Sequence, residues 1–599
     1  MPVTAGRHGE LNASLLSRIK FFCPPRNEQV AAPLAEKGLN IAAIVAGRLN
    51  AALSHEANLH LLTPENWRLV LDHARLDHAR LDFVLVESCF ESVTHDWYMG
   101  QLSLNAAGVM LRELVEHARA VGVPTVYWFT KGSQYHGNYA AFAALFDHVY
   151  CADPDEVALL GDMGVQAKLL LPAVQPKVFN PYRSARPEQD QIGVVYDGLI
   201  DVIKSASQFD YLRDLDVGLC DSNNLLFASK LDALAAEGWR VLGSIEFAHK
   251  PDALKLSRGV VSSSQSVLTR TEQQWMMVEA AACRVPLYHL GALPEGDIRR
   301  TLCYSTDSTG ELADKMARDA GDYLSWQRQA HMAWREVNRH HTYAVRVRTI
   351  VDDLGLEQVN PPVLMASVLA PTYRKDFIPR LLETFRGQLY ESKELIIVYN
   401  GEAADIADIE SCLAPNERIV SLPGEMSAGA CLNLAYELAQ GTHTFRMDDD
   451  DYYGPYYLLD SMLHLQVVDC DMYGKPPRFF YFEDDGHLYA RNVRMQDLRV
   501  FSSDLLGSED IWLAGNTIGL RKSSMPMPRY PDASVATADT FLALMASDRD
   551  LRVMSMDVMN VVVSRRADVS SHTWTMGHDK LKKNSDFLQG SIVDVLAAE

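Results

Sequence analysis

The most informative stretch of this 599-residue chain is Thr442-His-Thr-Phe-Arg-Met-Asp448-Asp449-Asp450-Asp451-Tyr-Tyr-Gly-Pro455. Four adjacent like charges repel one another, so a folded protein keeps them mainly where a cation neutralises the cluster. If the strand pleat continues through them, Asp448 and Asp450 share one face, and Asp449 and Asp451 share the other. One such pair could hold Mg²⁺ or Mn²⁺ against a diphosphate; the alternative is a solvated acidic turn.

The segments before the aspartates alternate between strand and helix. Apolar strands are predicted at Pro362–Arg374 and Glu394–Gly401, and helices at Phe377–Leu389 and Ser427–Gly441. A third strand then leads directly to the aspartates. This order predicts a parallel sheet with its ligand site at the carboxyl ends of the strands.

In order and spacing, residues 362–575 resemble the nucleotide-sugar glycosyltransferases of the GT-A fold, specifically the large inverting family two. The resemblance rests on the V-x-x-P-T-Y opening, the asparagine-bearing helix and the D-x-D-D before a proline. It implies a UDP-sugar donor and Mn²⁺ or Mg²⁺ as cofactor, with Asp450 binding the metal and Asp448 near both ribose and metal. The other residues that it places at the nucleotide-sugar site are Pro371, Thr372, Tyr373, Asn400 and Asp449.

Two positions depart from the family pattern. The second strand ends in Tyr399-Asn400-Gly401 where relatives commonly have Asp-Asp-Gly, and Leu432 stands where they often have arginine. Another cation must then neutralise the diphosphate. Arg374 and Arg446 are the candidates.

An inverting transfer also needs a general base for the acceptor hydroxyl. The resemblance assigns this role to Asp539, in Ala536-Thr-Ala-Asp539, although an aspartate there could also cap a helix. Asp510 is the rival, because Glu509-Asp510 forms the literal Glu-Asp pair of the family. His572 stands where relatives place a histidine or arginine against the metal; a surface-loop histidine is the alternative.

The N-terminal half predicts a separate α/β unit. A leader at 1–37 precedes one strand-helix run at 38–183 and a second at 192–355, with a charged, proline-bearing linker between the runs and the C-terminal domain at 362–599. Two Rossmann-like lobes in series enclose a cleft between them. The predicted fold class is therefore α/β, with a pair of lobes in front and a third α/β domain behind.

Residues 38–350 resemble the spore-maturation-type, GT-B-like modules of bacterial glycan-assembly proteins. Asn58-Leu-x-x-Leu-Thr-Pro-x-Asn-Trp67, Pro124-Thr-Val-x-Trp128 and Glu279-Ala-Ala-Ala-Cys carry the likeness. It implies that Glu279 meets a donor ribose, while Thr271 and Arg284 replace residues typical of the family. Glu87, at the carboxyl end of a predicted strand, is the second site candidate. Trp67, Trp97 and Trp128 are predicted to be core residues.

Composition narrows the function classes. Lys plus Arg total 56 and Asp plus Glu 78, a net charge of −22, which argues against nucleic acid and anionic lipid as partners. Nine scattered cysteines without a C-x-x-C predict reduced thiols, neither a disulfide framework nor a zinc site. With no apolar signal core or spanning segment, the sequence predicts a soluble cytoplasmic protein that reaches the inner membrane face through a partner.

The resulting expectation is a bifunctional bacterial polymerase that builds a surface polysaccharide such as O-antigen or capsule on a glycan or lipid-linked glycan acceptor. One alternative keeps only the GT-A module active, with the front module as scaffold or glycan-binding platform. The other is a carbohydrate-binding assembly protein without transferase activity.

Overall fold

The computed structural model describes residues 38–73, 81–103, 105–182, 192–221, 228–245, 247–357, 363–424, 426–491, 497–503, 506, 512–526, 530, 551–568 and 576–596. The described residues up to 357 are called the front module below, and those from 363 the rear module.

The first lobe of the front module is a six-stranded parallel sheet in the order β2-β1-β3-β4-β5-β6. Its central strands are apolar on both faces because helices cover both sides, and β3 and β4 are buried at every position. The strands are β1 (Asn40–Ile44), β2 (Asn58–Leu61), β3 (Phe83–Glu87), β4 (Thr125–Phe129), β5 (His148–Cys151) and β6 (Ala167–Leu169). The α-helices are Gly47–Leu53, Trp67–His73, Ala106–Ala120, His136–Ala143 and Pro154–Asp162.

The second lobe repeats this architecture, with all six strands parallel in the order β12-β11-β10-β7-β8-β9. The strands are β7 (Val194–Asp197), β8 (Gly218–Asp221), β9 (Val241–Ser244), β10 (Gly259–Ser263), β11 (Leu287–Leu290) and β12 (Tyr304–Thr306). The α-helices are Leu199–Ser205, Asp210–Asp214, Ala228–Ala236, Lys250–Leu256, Arg270–Ala282, Arg299–Leu302, Thr309–Gly321 and Tyr323–His340.

The last helix of the front module, Tyr343–Asp353, returns to the first lobe. Tyr343 and Ile350 are buried in one cluster with Ile41 and Trp128 of the first sheet. Arg346 donates to the carbonyls of Leu171 and Pro172. The two lobes are therefore tied together by packing as well as by chain connection.

The rear module contains an eight-stranded mixed sheet and a five-stranded sheet, in the orders β15-β14-β13-β16-β22-β18-β23-β21 and β17-β24-β19-β20-β25. Strands β15, β14, β13 and β16 run parallel, and β22 is antiparallel to β16. The first sheet comprises β13 (Ala366–Thr372), β14 (Lys393–Asn400), β15 (Glu417–Leu422), β16 (His443–Arg446), β18 (Met472–Gly474), β21 (Arg499–Ser502), β22 (Gly519–Arg521) and β23 (Arg552–Ser555). The second comprises β17 (Tyr452–Tyr453), β19 (Phe479–Phe482), β20 (His487–Arg491), β24 (Val561–Arg565) and β25 (Ser585–Phe587).

The α-helices of the rear module pack on both of its sheets, and the last two contact strands of the second sheet. They are Ile378–Arg386, Ala407–Glu410, Ala428–Leu438, Tyr457–Val467, His578–Lys583 and Ile592–Leu596. Ser427 starts the third of these, because its hydroxyl accepts from the amide of Ala430 at 3.1 Å.

The sequence-based prediction of an α/β chain with paired Rossmann-like lobes in front of a third α/β unit is confirmed by these sheets. Trp67, Trp97 and Trp128 are buried, as predicted. No helix in the part of the chain that the structure describes has the length and apolar character needed to cross a membrane.

Candidate functional site

Asp448–Asp451, called the acidic turn below, lies between the two sheets of the rear module. Strand β16 ends at Arg446, and β17 begins at Tyr452 and pairs with β24. The expected alternation of faces is wrong, because the pleat stops before the first aspartate. The four carboxylates instead take directions set by their separate partners.

Asp449 points toward the end of β13 and is almost fully buried. Arg374 Nε donates to its Oδ2 at 3.0 Å, and Arg374 Nη2 and the Thr372 hydroxyl also donate to this carboxylate. Thr372 therefore holds the acidic turn in this conformation, rather than facing open space.

Asp450 is shared between two arginines. Its Oδ2 lies 3.0 Å from Arg374 Nη1 and 3.2 Å from Arg566 Nη2. Burial disfavours the charged guanidinium of Arg374, but the hydrogen bond to Asp449 and the charges of both aspartates outweigh burial and raise the pKa of Arg374. The predicted alternation of faces is therefore wrong for Asp449 and Asp450 as well, because both carboxylates bind Arg374.

Asp448 is the most accessible of these carboxylates, with 26% of its side chain exposed. Arg446 binds it through two nitrogens, Nε to Oδ1 at 2.7 Å and Nη2 to Oδ2 at 3.1 Å. The Asp448 amide donates to the Tyr453 hydroxyl at 2.9 Å, and that hydroxyl donates to the Asn516 carbonyl at 3.0 Å. The backbone of the turn is thereby fixed, while the carboxylate remains reachable.

Asp451 turns inward and joins the sheets. It accepts from Asn516 Nδ2 at 2.6 Å and from the Ser564 amide at 2.8 Å. Burial, with the charges of Asp450 and Asp448, raises the pKa of Asp451 well above its ordinary value. Its contacts are structural ones, so Asp448 and Asp450 are the carboxylates left for a ligand.

The remaining predicted residues line the same edge of the sheet or lie outside the described residues. Pro371 is the penultimate residue of β13, and Tyr373 just beyond it is 57% exposed, with the Arg374 guanidinium 5.2 Å from its ring centre. Asn400, at the end of β14, donates to the Met426 carbonyl at 2.7 Å. Asp539, its rival Asp510, and His572 all lie outside the described residues.

Two residues at the site were not predicted to act there: Arg566 and Asn516. Arg566 follows β24 directly, and the sequence signal was the Arg565-Arg566 pair that ends an otherwise uncharged strand. Asn516 lies 65 residues beyond Asp451 in the chain, and no local sequence pattern pairs the two.

The donor set of the turn suits a divalent cation that is shared with a diphosphate. Within the described ranges, no group of three His, Cys, Asp or Glu side chains could hold a metal ion by itself. Magnesium sites in nucleotide enzymes use one or two carboxylates together with substrate phosphates, and Asp448 and Asp450 supply that number of hard oxygen ligands.

The front module has a second charged cluster, called the front cleft below, where its lobes meet. Glu279 lies on the helix Arg270–Ala282 and is 1% exposed. Its Oε1 is 3.0 Å from Arg48 Nε of the first lobe, and its Oε2 is 3.1 Å from Lys250 Nζ of the second. Lys250 also lies 3.1 Å from Asp197 Oδ2. Burial disfavours the ammonium, but Glu279 and Asp197 outweigh it and raise the pKa of Lys250.

The front cleft is closed around these charges. The cavity beside Arg48 and Glu279 has a volume of about 10 Å³, which is close to the space of one water molecule. Gln175, Phe247 and Tyr343 complete its wall. In this conformation the cavity is too small for a nucleotide.

Glu87 lies near this cavity but is committed to the backbone of the first lobe. It accepts from the Ala46 amide at 2.8 Å and from the Thr130 hydroxyl at 2.9 Å, and burial raises its pKa. Thr271 is fully buried on the same helix as Glu279, and Arg284 adopts a left-handed backbone with φ +58°.

Comparison with known proteins finds a family model that matches part of the rear module. Residues 367–506 match the model described as glycosyl transferase family 2. The matched residues include β13, β14, β16 and the whole acidic turn. No curated protein sequence matches the chain.

Several solved glycosyltransferases are similar at low identity. S. aureus TarS 1-349 in complex with UDP-GlcNAc is 18% identical over 36% of this chain and 62% of its own, with a TM-score of 0.30. The mannosyltransferase PcManGT from Pyrobaculum calidifontis, in complex with GDP-Man and Mn²⁺, is 16% identical over 34% of this chain and 57% of its own, with a TM-score of 0.25. Sucrose-phosphate synthase from Thermosynechococcus elongatus is 12% identical over 50% of this chain and 81% of its own, with a TM-score of 0.33. This chain spans less than two thirds of the length of the TarS and PcManGT chains that it matches.

Proposed function

We propose that the rear module is an inverting glycosyltransferase that moves a sugar from a UDP-sugar donor to a glycan or lipid-linked glycan of a bacterial surface polysaccharide, such as O-antigen or capsule. One observation carries the proposal. Asp448 and Asp450 lie partly open at the carboxyl ends of β13 and β16, within the region that matches family 2, and arginines surround them.

The chemistry follows from these groups. Asp448 and Asp450 would hold Mn²⁺ or Mg²⁺, which neutralises the leaving diphosphate when it is bound. Arg374 and Arg566 already balance Asp450, and they would turn toward the diphosphate once that charge is shared. The acceptor oxygen bonds to the anomeric carbon as the bond to the diphosphate breaks. The hydroxyl proton passes to Asp539, the proposed base, and UDP leaves.

For the front module, the closed front cleft favours a role as scaffold or glycan-binding platform. Glu279 is balanced by two cations from opposite lobes, and the adjoining cavity is far too small for a nucleotide. The carboxylate that resembles a ribose ligand holds the lobes together in this conformation.

A bifunctional polymerase is the second candidate, and the same cluster favours it in one respect. Arg48 and Lys250 are two cations from opposite lobes beside Glu279, and cations in such a cleft suit a nucleoside diphosphate. This candidate requires the lobes to open and Glu279 to exchange its partners for a ribose. Two linked sites would also raise the local concentration of the growing chain end.

The proposal includes a location at the inner face of the cytoplasmic membrane, reached through a membrane-associated partner, because a lipid-linked acceptor would be presented there.

UDP release from a panel of UDP-sugars with Mn²⁺ tests the proposal, with the intact chain, Asp450→Ala and Glu279→Ala compared. Loss of all turnover in Asp450→Ala alone supports a single rear site. Loss of turnover of one donor in Asp450→Ala, and of a different donor in Glu279→Ala, supports the bifunctional candidate. No turnover of any donor by the intact chain would reject both, and would favour a non-catalytic carbohydrate-binding protein.

A further inference from the structure

A buried cluster of charges joins the two modules. The helix Tyr323–His340, called the docking helix below, packs on the helices Tyr457–Val467 and Ile592–Leu596 of the rear module. Arg335 of the docking helix binds Asp460 through two nitrogens, Nε to Oδ1 and Nη2 to Oδ2, each at 2.8 Å. His331 Nε2 lies 2.7 Å from the same Oδ2. Asp460 is fully buried, so its charge depends on the front module.

Aromatic stacking extends the same interface. Trp334 of the docking helix stacks on His464, with ring centres 4.3 Å apart and planes 22° apart. Tyr182, also from the front module, lies 2.7 Å from His464 Nδ1 through its hydroxyl. This interface is therefore buried like a domain core, unlike a wet contact between independent domains.

From Asp460 the contacts lead directly to the acidic turn. Asn560 Nδ2 donates to Asp460 Oδ2 at 2.7 Å, and Asn560 has a left-handed backbone with φ +66°. The Asn560 carbonyl accepts from the Gly454 amide at 3.0 Å. Asn560 immediately precedes β24, and β24 pairs with Tyr452–Tyr453 directly after the four aspartates.

A second contact reaches the same segment. The guanidinium of Arg335 lies 3.7 Å from the ring centre of Tyr456, within two residues of Gly454. A β-carbon added at Gly454 would lie 2.4 Å from Asn560 Oδ1, so the packing at this position leaves no room for a side chain. One front-module side chain thus fixes the segment after the acidic turn from two sides.

We propose that Arg335 is a positioning residue for the acidic turn, so that the front module completes the metal and nucleotide site of the rear module. The chain of contacts runs from Arg335 to Asp460, from Asp460 to Asn560, and from Asn560 to the residues that follow Asp451. The catalytic consequence rests on the function proposed above; the ordering of the turn does not.

The test compares the intact chain with Arg335→Lys, which keeps the charge but loses the paired hydrogen bonds. Arg339→Lys is the matched control, because Arg339 lies on the same helix and is exposed. Asn560→Gly is the second variant: glycine suits the left-handed backbone, and the link to Asp460 is lost. The readouts are amide hydrogen exchange over residues 447–456 and calorimetric titration with Mn²⁺ and UDP.

We expect faster exchange in this segment and about tenfold weaker Mn²⁺–UDP binding for Arg335→Lys and Asn560→Gly, and neither change for Arg339→Lys. Unchanged exchange in both variants would overturn the proposal, even if their melting temperatures fell, because the contact would then serve stability alone. If Arg335→Lys fails to fold, Asn560→Gly decides. If the intact chain binds no Mn²⁺–UDP, the proposed function is wrong, and exchange alone decides the positioning role.

Discussion

The front cleft and the acidic turn both balance carboxylates with arginine or lysine, but they leave different fractions of the carboxylate exposed. Glu279 of the front cleft lies on a helix, whereas the acidic turn lies at the carboxyl ends of parallel strands. In the front cleft a single glutamate, 1% exposed, is balanced by cations from two lobes around a water-sized cavity. In the acidic turn, 26% of the Asp448 side chain and 14% of the Asp450 side chain remain exposed.

The difference shows what a charged residue contributes in each place. A buried carboxylate with two ion-pair partners has little left for a ligand, and removing one partner leaves an uncompensated charge. A partly open carboxylate cluster can still exchange a partner for a cation. The proposed function therefore places the chemistry at the acidic turn and gives the front cleft a role in stability.

The largest expected effect is at the acidic turn. Asp450→Asn should lower kcat/KM for the Mn²⁺-dependent donor reaction by about 10³-fold, or about 4 kcal/mol, because one of the two open carboxylates is lost. Removal of the metal with a chelator should have an effect at least as large. Steady-state UDP release measures both.

Asp408→Asn is the control for this variant, since Asp408 is an exposed carboxylate paired with Lys375. It should leave the rate unchanged. Equal losses in the two variants would mean that general charge, and not the acidic turn, controls the reaction.

At the front cleft, removal of one charged side chain should lower the free energy of unfolding. Lys250→Met leaves Glu279 and Asp197 without their shared ammonium, and we expect a loss of about 3 kcal/mol in the free energy of unfolding. Chemical denaturation measures it. Lys168→Met removes an exposed pair with Asp353 and should cost less than about 1 kcal/mol. A rate loss without a stability loss in Lys250→Met would move chemistry into the front cleft.

The docking helix between the two regions adds a pH test. Burial lowers the pKa of His331 to about 4, against the charges of Asp557 and Asp460 that raise it, and with Arg284 lowering it further. The unfolded chain then protonates the His331 imidazole near pH 6.5, whereas the folded chain protonates it only near pH 4. The free energy of unfolding therefore falls as the pH drops from about 6.5 to about 4. At pH 5 the cost from His331 should be about 2 kcal/mol.

His331→Gln removes the titrating group and keeps a donor for Asp460. Unfolding free energies at pH 7 and pH 5 should therefore differ less for this variant than for the intact chain. An identical pH dependence in both proteins would show that other buried groups account for the acid sensitivity.

The smallest effect should come from the exposed end of the front cleft. Arg48→Ala removes a guanidinium whose side chain is 35% exposed, while Lys250 still balances Glu279. We expect a loss of about 1 kcal/mol and no new UDP site. Arg68→Ala, which breaks an exposed pair with Glu113, provides the baseline. A new UDP site in Arg48→Ala would favour the bifunctional candidate.

The sequence predicted the elements around the site because local signals carry them. Apolar runs marked β13, β14 and β16, and the four aspartates stand out in any reading of the chain. The five-stranded mixed sheet was missed, since its strands come from segments spread between residues 452 and 587 and no local pattern pairs them. Strand β15 was missed for a different reason: Glu417–Leu422 is half exposed and lacks a continuous apolar run.

The partners of the aspartates were only partly predictable. Arg374 and Arg446 stand beside the predicted strands, and sequence reasoning named both. Arg566 joins Asp450 from more than a hundred residues away, and only the fold brings the two together. Arg335 and Asp460 escaped prediction for a further reason: charged residues on helices are normally read as surface features, whereas these two are buried between modules.

The measurement that tests the central claim most directly is calorimetric titration with UDP, with and without Mn²⁺, of the intact chain, Asp450→Asn and Glu279→Gln. We predict one Mn²⁺-dependent UDP site per chain, lost in Asp450→Asn and retained in Glu279→Gln. A site that survives in Asp450→Asn and disappears in Glu279→Gln would contradict the account, because it would place nucleotide binding in the front cleft.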